Sequence, residues 1–141
     1  MTDATRKSGR CLCGAVRFTA VTADTMHACH CEICRRQSGG VFLSVDCGDS
    51  VVVEDEAALT TFESSDWAER QFCARCGSNL FWRGKDGATV MASIQAFDDP
   101  SVFVFADEFC IDAKPSTYAF AGDRPRLTTD ELMAMFTSEA S

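Results

Sequence analysis

Cys73-Ala74-Arg75-Cys76-Gly77, running on into Asn79-Leu80-Phe81-Trp82, reads as a C-x-x-C knuckle that opens onto a β-strand. In such a knuckle the chain turns back on itself, and the glycine after the second cysteine lets backbone amides approach the sulfurs. Two sulfurs do not close a metal shell, so the pair needs partners from elsewhere. Cys11-Leu12-Cys13 supplies them: on an extended strand residues two apart point to the same side, so both sulfurs face one ion while Leu12 faces away. Cys11, Cys13, Cys73 and Cys76 together give four thiolates, and a closed tetrahedral sulfur shell is the mark of a structural zinc. The long loop between the pairs would be fixed by that metal, whose binding free energy is then folding free energy.

Outward from the knuckle, residues 15–18, 41–45, 51–54, 58–62, 79–82, 89–94 and 102–105 are short runs rich in β-branched or aromatic side chains, separated by Gly, Asp, Ser or Pro. Many short strands at close spacing predict a mainly β, mostly antiparallel domain. Two helical signals interrupt them. Residues 32–37 predict a turn or two of helix, stopped by Ser38-Gly39-Gly40. Thr128 followed by Glu131 fits a capping box, and Leu132, Met135 and Phe136 fall on one face, predicting a short C-terminal helix over 129–138 that covers an edge or face of the sheet. With 141 residues, 46% hydrophobic and eleven Phe, the chain can bury a real core in one domain, 1–141. Trp67, Trp82 and Phe72 are assigned to that core, Arg70 either bonds near the first cysteine group or faces solvent, and no repeat or low-complexity tract is present.

Cys29-His30-Cys31-Glu32-Ile33-Cys34 places three sulfurs within six residues. One short segment does not easily close a tetrahedron alone. Three protein ligands plus an exchangeable position describe a reactive zinc, able to hold a water or a substrate thiol as its conjugate base. The competing reading is a second structural zinc closed by His27, His30, Cys47 or Cys110. His30, between two ligands that share a side, is expected to point away from their metal, and His27 is expected at the surface. Cys47 and Cys110 lie in apolar strand contexts, where a buried free thiol is the ordinary outcome.

Nine cysteines, an odd number at close spacings, read as metal ligands in a reducing compartment better than as a disulfide framework. Met1 to Arg10 lacks the apolar run of a signal peptide, and no stretch reaches the roughly 18 apolar residues of a membrane span, so the expected location is the cytoplasm, without membrane contact. The net charge of -8 becomes more acidic still once thiolates form, which opposes nucleic acid as a partner. Arg35/Arg36 and Arg124/Arg126 are the tight basic pairs, and each is assigned to a solvated face.

Taken together, Gly9-x-Cys11-x-Cys13-Gly14-Ala15-Val16, Cys29-His30-Cys31-x-x-Cys34-Arg35 and Arg70-x-Phe72-Cys73-x-x-Cys76-Gly77-Ser78 resemble the glutathione-dependent formaldehyde-activating enzyme family, whose domain is shared with centromere protein V. The resemblance runs from Gly9 to about Lys114, within a family-like core of 9–118. It implies an Mss4-like zinc-binding β fold and two zinc ions per chain, a structural one on Cys11, Cys13, Cys73 and Cys76 and a catalytic one on Cys29, Cys31 and Cys34. It also implies carbon-sulfur lyase chemistry, the condensation of formaldehyde with glutathione to S-(hydroxymethyl)glutathione. Glutathione carries two carboxylates, for which Arg35, Arg36 and the backbone at Gly39 and Gly40 are the neighbouring candidates.

Two positions depart from the family pattern. Many members carry a His several residues before a Lys and a Trp just after it; here Lys114 is preceded by Glu108 and followed by Tyr118. Two function classes therefore stand: an enzyme acting on glutathione or a related thiol, and a non-catalytic zinc module that binds a thiol, a peptide or a protein.

Overall fold

Short runs in which buried and half-exposed residues alternate form the strands of this chain, of which the computed structural model describes residues 5–140, with side chains described from Arg6 to Met135. In chain order these are β1 (Thr5–Arg10), β2 (Arg17–Thr22), β3 (Thr25–Cys29), β4 (Phe42–Asp46), β5 (Val52–Val53), β6 (Leu59–Glu63), β7 (Ala68–Cys73), β8 (Asn79–Gly84), β9 (Val90–Ser93), β10 (Val104–Phe109) and β11 (Arg126–Leu127). Two α-helices accompany them, α1 (Glu32–Ser38) and α2 (Thr129–Ala140). The protein is mainly β with a short C-terminal helix, as its sequence indicates. β2 and β10 lie a few residues later than the apolar runs suggest, and β1, β3, β7 and β11 carry no strand signal strong enough to read.

The described residues gather into two compact units. The first takes the chain up to Met26 together with Ser44–Val104. Here β1, β2 and β5 make a small antiparallel sheet, and β4, β9, β8, β7 and β6 follow one another in a second antiparallel array. Phe18 meets Phe81 edge-on at 5.0 Å and Phe97 at 5.3 Å, over a core that includes Val16, Leu80, Val90 and Ala92. Burying each such Phe is worth about 2–3 kcal/mol, so this cluster contributes stability of its own beside any metal. Phe72 and Trp82 are half-buried, but Trp67 is 51% exposed and packs edge-on against Trp82 at the surface. Arg70 is buried, its Nε donating to Ser64 Oγ at 3.4 Å.

The second unit comprises His27–Leu43 and the chain from Phe105 onward. β10 lies between β3 and β11, and its pairing with β11 is parallel, Glu108 opposite Arg126 and Phe109 opposite Leu127. α1 begins at Cys31, whose sulfur accepts the Cys34 amide as an N-cap, and ends at Gly39, whose φ of 73° closes the helix in the left-handed region. The capping box of α2 forms as expected: Glu131 N donates to Thr128 Oγ1 (3.2 Å) and Thr128 N to Glu131 Oε1 (2.7 Å). Asp112 adds a second cap, accepting from the amide and hydroxyl of Thr129, bonds that hold its carboxyl below the usual range. α2 packs on β11 and on the 3-10 turn Ile111–Ala113. Leu132 is half-buried there, Met135 is exposed, and the side chain of Phe136 lies outside the described residues.

Candidate metal centres

The first group is built from two similar turns. Cys11 N donates to Val16 O (3.0 Å) and Cys73 N donates to Ser78 O (3.0 Å), so each segment folds back over five residues. Gly14 (φ 84°) and Gly77 (φ 80°) supply the left-handed residue each turn requires. The C-x-C pair therefore does not sit on extended backbone, as its spacing suggested: β1 ends at Arg10, and Cys11–Val16 is itself a knuckle. The outcome for the sulfurs is the same. Cys11 Sγ and Cys13 Sγ are 3.7 Å apart, and Cys13 Sγ and Cys73 Sγ are 3.8 Å apart. Zinc–sulfur bonds of about 2.3 Å set the edge of a tetrahedron at roughly 3.8 Å, so these thiols already stand at the spacing a four-sulfur site needs.

Donors surround those sulfurs. Val16 N donates to Cys11 Sγ (3.3 Å), and Arg75 N and Cys76 N donate to Cys73 Sγ (3.3 and 3.4 Å). Ser78 links the two knuckles: its hydroxyl oxygen accepts from Leu12 N (3.0 Å) and lies 3.1 Å from Cys76 Sγ, to which it donates once that sulfur is a thiolate. Above all through Ser78, and then through backbone amides, the Cys76 thiol is pulled down to about 5. Such bonds favour thiolate, the form that binds a metal.

The second group lies where β3 runs into α1. The sulfurs of Cys29, Cys31 and Cys34 lie within 4.8 Å of one another, Cys34 buried and the other two half-buried. Cys31 is drawn strongly toward thiolate, first by Cys110 and then by Cys29 and Cys34, while the same contacts hold Cys29 strongly in the protonated form. Both groups offer the soft donor set and the closeness that suit a thiophilic metal ion.

The other candidate ligands separate cleanly. His30 is fully buried, its Nδ1 bonded to the Tyr118 hydroxyl (2.8 Å) and its Nε2 donating to Glu108 Oε1 (2.8 Å), so both ring nitrogens are engaged away from the sulfurs. His27 is half-buried against Asp107 and stacks on Phe109. Cys47 is a buried thiol pushed up to about 12, chiefly by burial, and sits in the first unit. Cys110 is likewise a buried free thiol, 4% exposed, and stands outside the group of three sulfurs.

The two departures from the family pattern, Glu108 and Tyr118, thus meet on one residue, His30. Glu108 is 1% exposed and also accepts from Arg124 Nη1 (2.7 Å) and Arg126 Nε (3.0 Å) through its other oxygen. Burial, the largest influence, pushes its carboxyl up, and the bonds from His30, Arg124 and Arg126 reverse that to leave it below the usual range. Arg124 and Arg126 are therefore ion-paired, Arg124 half-buried and Arg126 at the surface. Of the groups proposed for carboxylate binding, Arg35 Nε donates to His30 O (2.9 Å), exposed Arg36 pairs with Glu32 (2.8 Å), and the amides of Gly39 and Gly40 donate to Arg35 O.

The model of the family described as glutathione-dependent formaldehyde-activating enzyme matches residues 6–112, which contain both cysteine groups. The chain belongs to this family. It is 32% identical over 127 residues to an uncharacterized lyase of Schizosaccharomyces pombe, an alignment covering 89% of this chain and 93% of that protein. A Halomonas elongata protein, provisionally named as a glutathione-dependent formaldehyde-activating enzyme, is 36% identical over 84 residues, 52% of this chain and 53% of its own. In fold, a solved structure of a Rhodobacter sphaeroides protein superimposes with a TM-score of 0.56 at 22% identity, covering 64% of this chain and 87% of that one. Membership in this family carries glutathione-dependent formaldehyde activation as its general activity, and no helix among the described residues is long and apolar enough to cross a membrane.

Proposed function

We propose that the protein is a zinc-dependent carbon-sulfur lyase that joins glutathione, or a closely related thiol, to formaldehyde. The observation that carries this reading is the set of three thiols from one segment, Cys29, Cys31 and Cys34, gathered within 4.8 Å in a chain of this family. Zinc held by these three would supply a lowered thiol pKa, keeping the substrate sulfur as thiolate at neutral pH. A shell already rich in thiolate is a weak Lewis acid, so delivery of the nucleophile fits the donor set better than polarisation of the aldehyde. The sulfur lone pair forms a bond to the carbonyl carbon, the C=O π pair moves to oxygen, and a proton from solvent completes S-(hydroxymethyl)glutathione.

The chain's own contribution is position. Cys31 and Cys34 are fixed by the first turn of α1, and His30 is pinned between Glu108 and Tyr118 so that its backbone holds the cysteines on either side. Arg36 is the residue best placed to take a glutathione carboxylate, because its exposed bond to Glu32 is worth only about 0.3–0.5 kcal/mol and is easily exchanged. Cys11, Cys13, Cys73 and Cys76 would hold a structural zinc, and the acidic balance leaves nucleic acid outside the reading.

Formaldehyde and glutathione consumption above the spontaneous rate tests the proposal. Cys31→Ser is expected to keep its circular dichroism spectrum and lose turnover by at least about 100-fold. Unchanged turnover would sink the reading. Saturable glutathione binding without any acceleration would make the protein a thiol-binding module instead.

A further inference from the structure

His30 is the one residue between the end of β3 at Cys29 and the N-cap of α1 at Cys31, the joint at which a strand turns into a helix. Cys29 belongs to the strand, Cys31 and Cys34 to the helix, so the backbone at His30 decides whether the three sulfurs meet. Every polar atom of that joint is engaged. His30 N donates to Phe109 O (3.0 Å), and His30 O accepts from Arg35 Nε (2.9 Å). On the ring, Nε2 donates to Glu108 Oε1 (2.8 Å) and Nδ1 lies 2.8 Å from the Tyr118 hydroxyl. An imidazole that donates through one nitrogen accepts through the other, so the Tyr118 O–H is the donor to Nδ1. Tyr118 is itself held: Lys114 Nζ donates to Tyr118 O and stands 5.1 Å from the centre of its ring, which Phe120 meets edge-on at 6.2 Å. Tyr118 lies beyond residues 6–112, the span the family model matches.

We propose that Tyr118 is a positioning residue for the second metal site: its hydroxyl locks the joint at His30 and so sets how firmly Cys29 is kept beside Cys31 and Cys34. This rests on the reading that these three cysteines hold a metal, and it goes past that reading by naming the residue that governs how readily the metal leaves. Among the bonds at the joint, this one is separable. Glu108 is shared with Arg124 and Arg126, so its removal disturbs more than His30. The hydroxyl of Tyr118 bonds His30 alone among the described residues. Without it Nδ1 becomes an acceptor with no donor in a ring that is 0% exposed, a costly state in the protein interior. The ring then turns toward a new partner and carries the backbone of Cys29 and Cys31 with it.

Tyr118→Phe keeps the ring against Lys114 and Phe120 and deletes the hydroxyl. From fully zinc-loaded protein in excess chromophoric chelator, zinc leaves in a fast phase from the second group and a slow phase from the first. Tyr118→Phe is expected to speed the fast phase about 10-fold and leave the slow phase unchanged, the scale of effect seen when support behind a metal ligand is lost. Acceleration of both phases alike would mean a loosened fold and overturn the proposal, as would no change in either. Phe120→Leu controls for packing, since Phe120 neighbours both rings without a polar bond; a fast phase sped as much as in Tyr118→Phe would also overturn it. Nitrogen-15 resonances of the His30 ring read the bond itself. The Nδ1 signal should move in Tyr118→Phe while Nε2 keeps its proton, and an unmoved Nδ1 signal overturns the proposal with the metal reading intact. Loading that stops at one zinc per chain would instead sink the metal reading, and the proposal with it, before any variant is made.

Discussion

Cys11, Cys13, Cys73 and Cys76 come from two similar knuckles brought together across about 60 residues, whereas Cys29, Cys31 and Cys34 come from six consecutive residues. The first set stands at tetrahedral spacing with amides and Ser78 aimed at its sulfurs. The second is a compact trio whose rigidity comes from behind, through His30 and the buried carboxylate of Glu108. A metal in the first set would cross-link distant chain and contribute to folding. In the second it would add little cross-linking beyond what α1 already provides, which leaves that site free to specialise in exchange.

Breaking the first set should therefore be the gravest change. Cys73→Ser is expected to abolish cooperative thermal unfolding and halve the zinc content, because apparent binding at structural zinc sites is about 10–16 kcal/mol. A cooperative melt with wild-type midpoint would erase the distinction between the groups. Next comes the support of the second set. Glu108→Gln removes the charge facing His30, Arg124 and Arg126 and should cost about 3 kcal/mol in denaturant unfolding at pH 7. Since the Glu108 carboxyl is depressed in the folded state, its contribution is present above the unfolded value of about 4.3 and disappears as pH falls through the lower folded one. The gap between wild type and Glu108→Gln should accordingly narrow below about pH 4; a constant gap would mean that packing, not charge, is what the variant loses.

Ser78→Ala sharpens the comparison from the other side. Losing the hydroxyl that joins the two knuckles should weaken the tighter zinc by about 10-fold in a chelator competition and leave the looser one unchanged. Smallest is Arg36→Ala, expected to shift stability by less than about 0.5 kcal/mol while raising the KM for glutathione with kcat unaltered. An unmoved KM would remove Arg36 from the substrate's contacts.

Much of the first site was legible because sulfur spacing is a local property. The knuckle at Cys73 and the capping box at Thr128 and Glu131 are likewise written in a few adjacent residues, and both form as read. β7 was not legible: Ala68-Glu69-Arg70-Gln71-Phe72-Cys73 has the composition of a surface segment, yet Arg70 and Gln71 are buried and a register shift follows Gln71. β1 is polar throughout and exists because β2 offers it an edge. Pairing of that kind is decided by distant partners that no local pattern reveals. The same holds for Glu108, which bonds His30, within the second cysteine segment, from 78 residues away.

Glu108 also bears on how this chain can change over generations. One carboxylate bonds an imidazole and two guanidinium groups at once, so replacing it takes a bond from three partners in a single step. A change at any of positions 30, 108, 124 and 126 is thereby expected to favour compensating changes at the others. Descendants and relatives should fall into discrete sets at these four sites, with few viable intermediates between them.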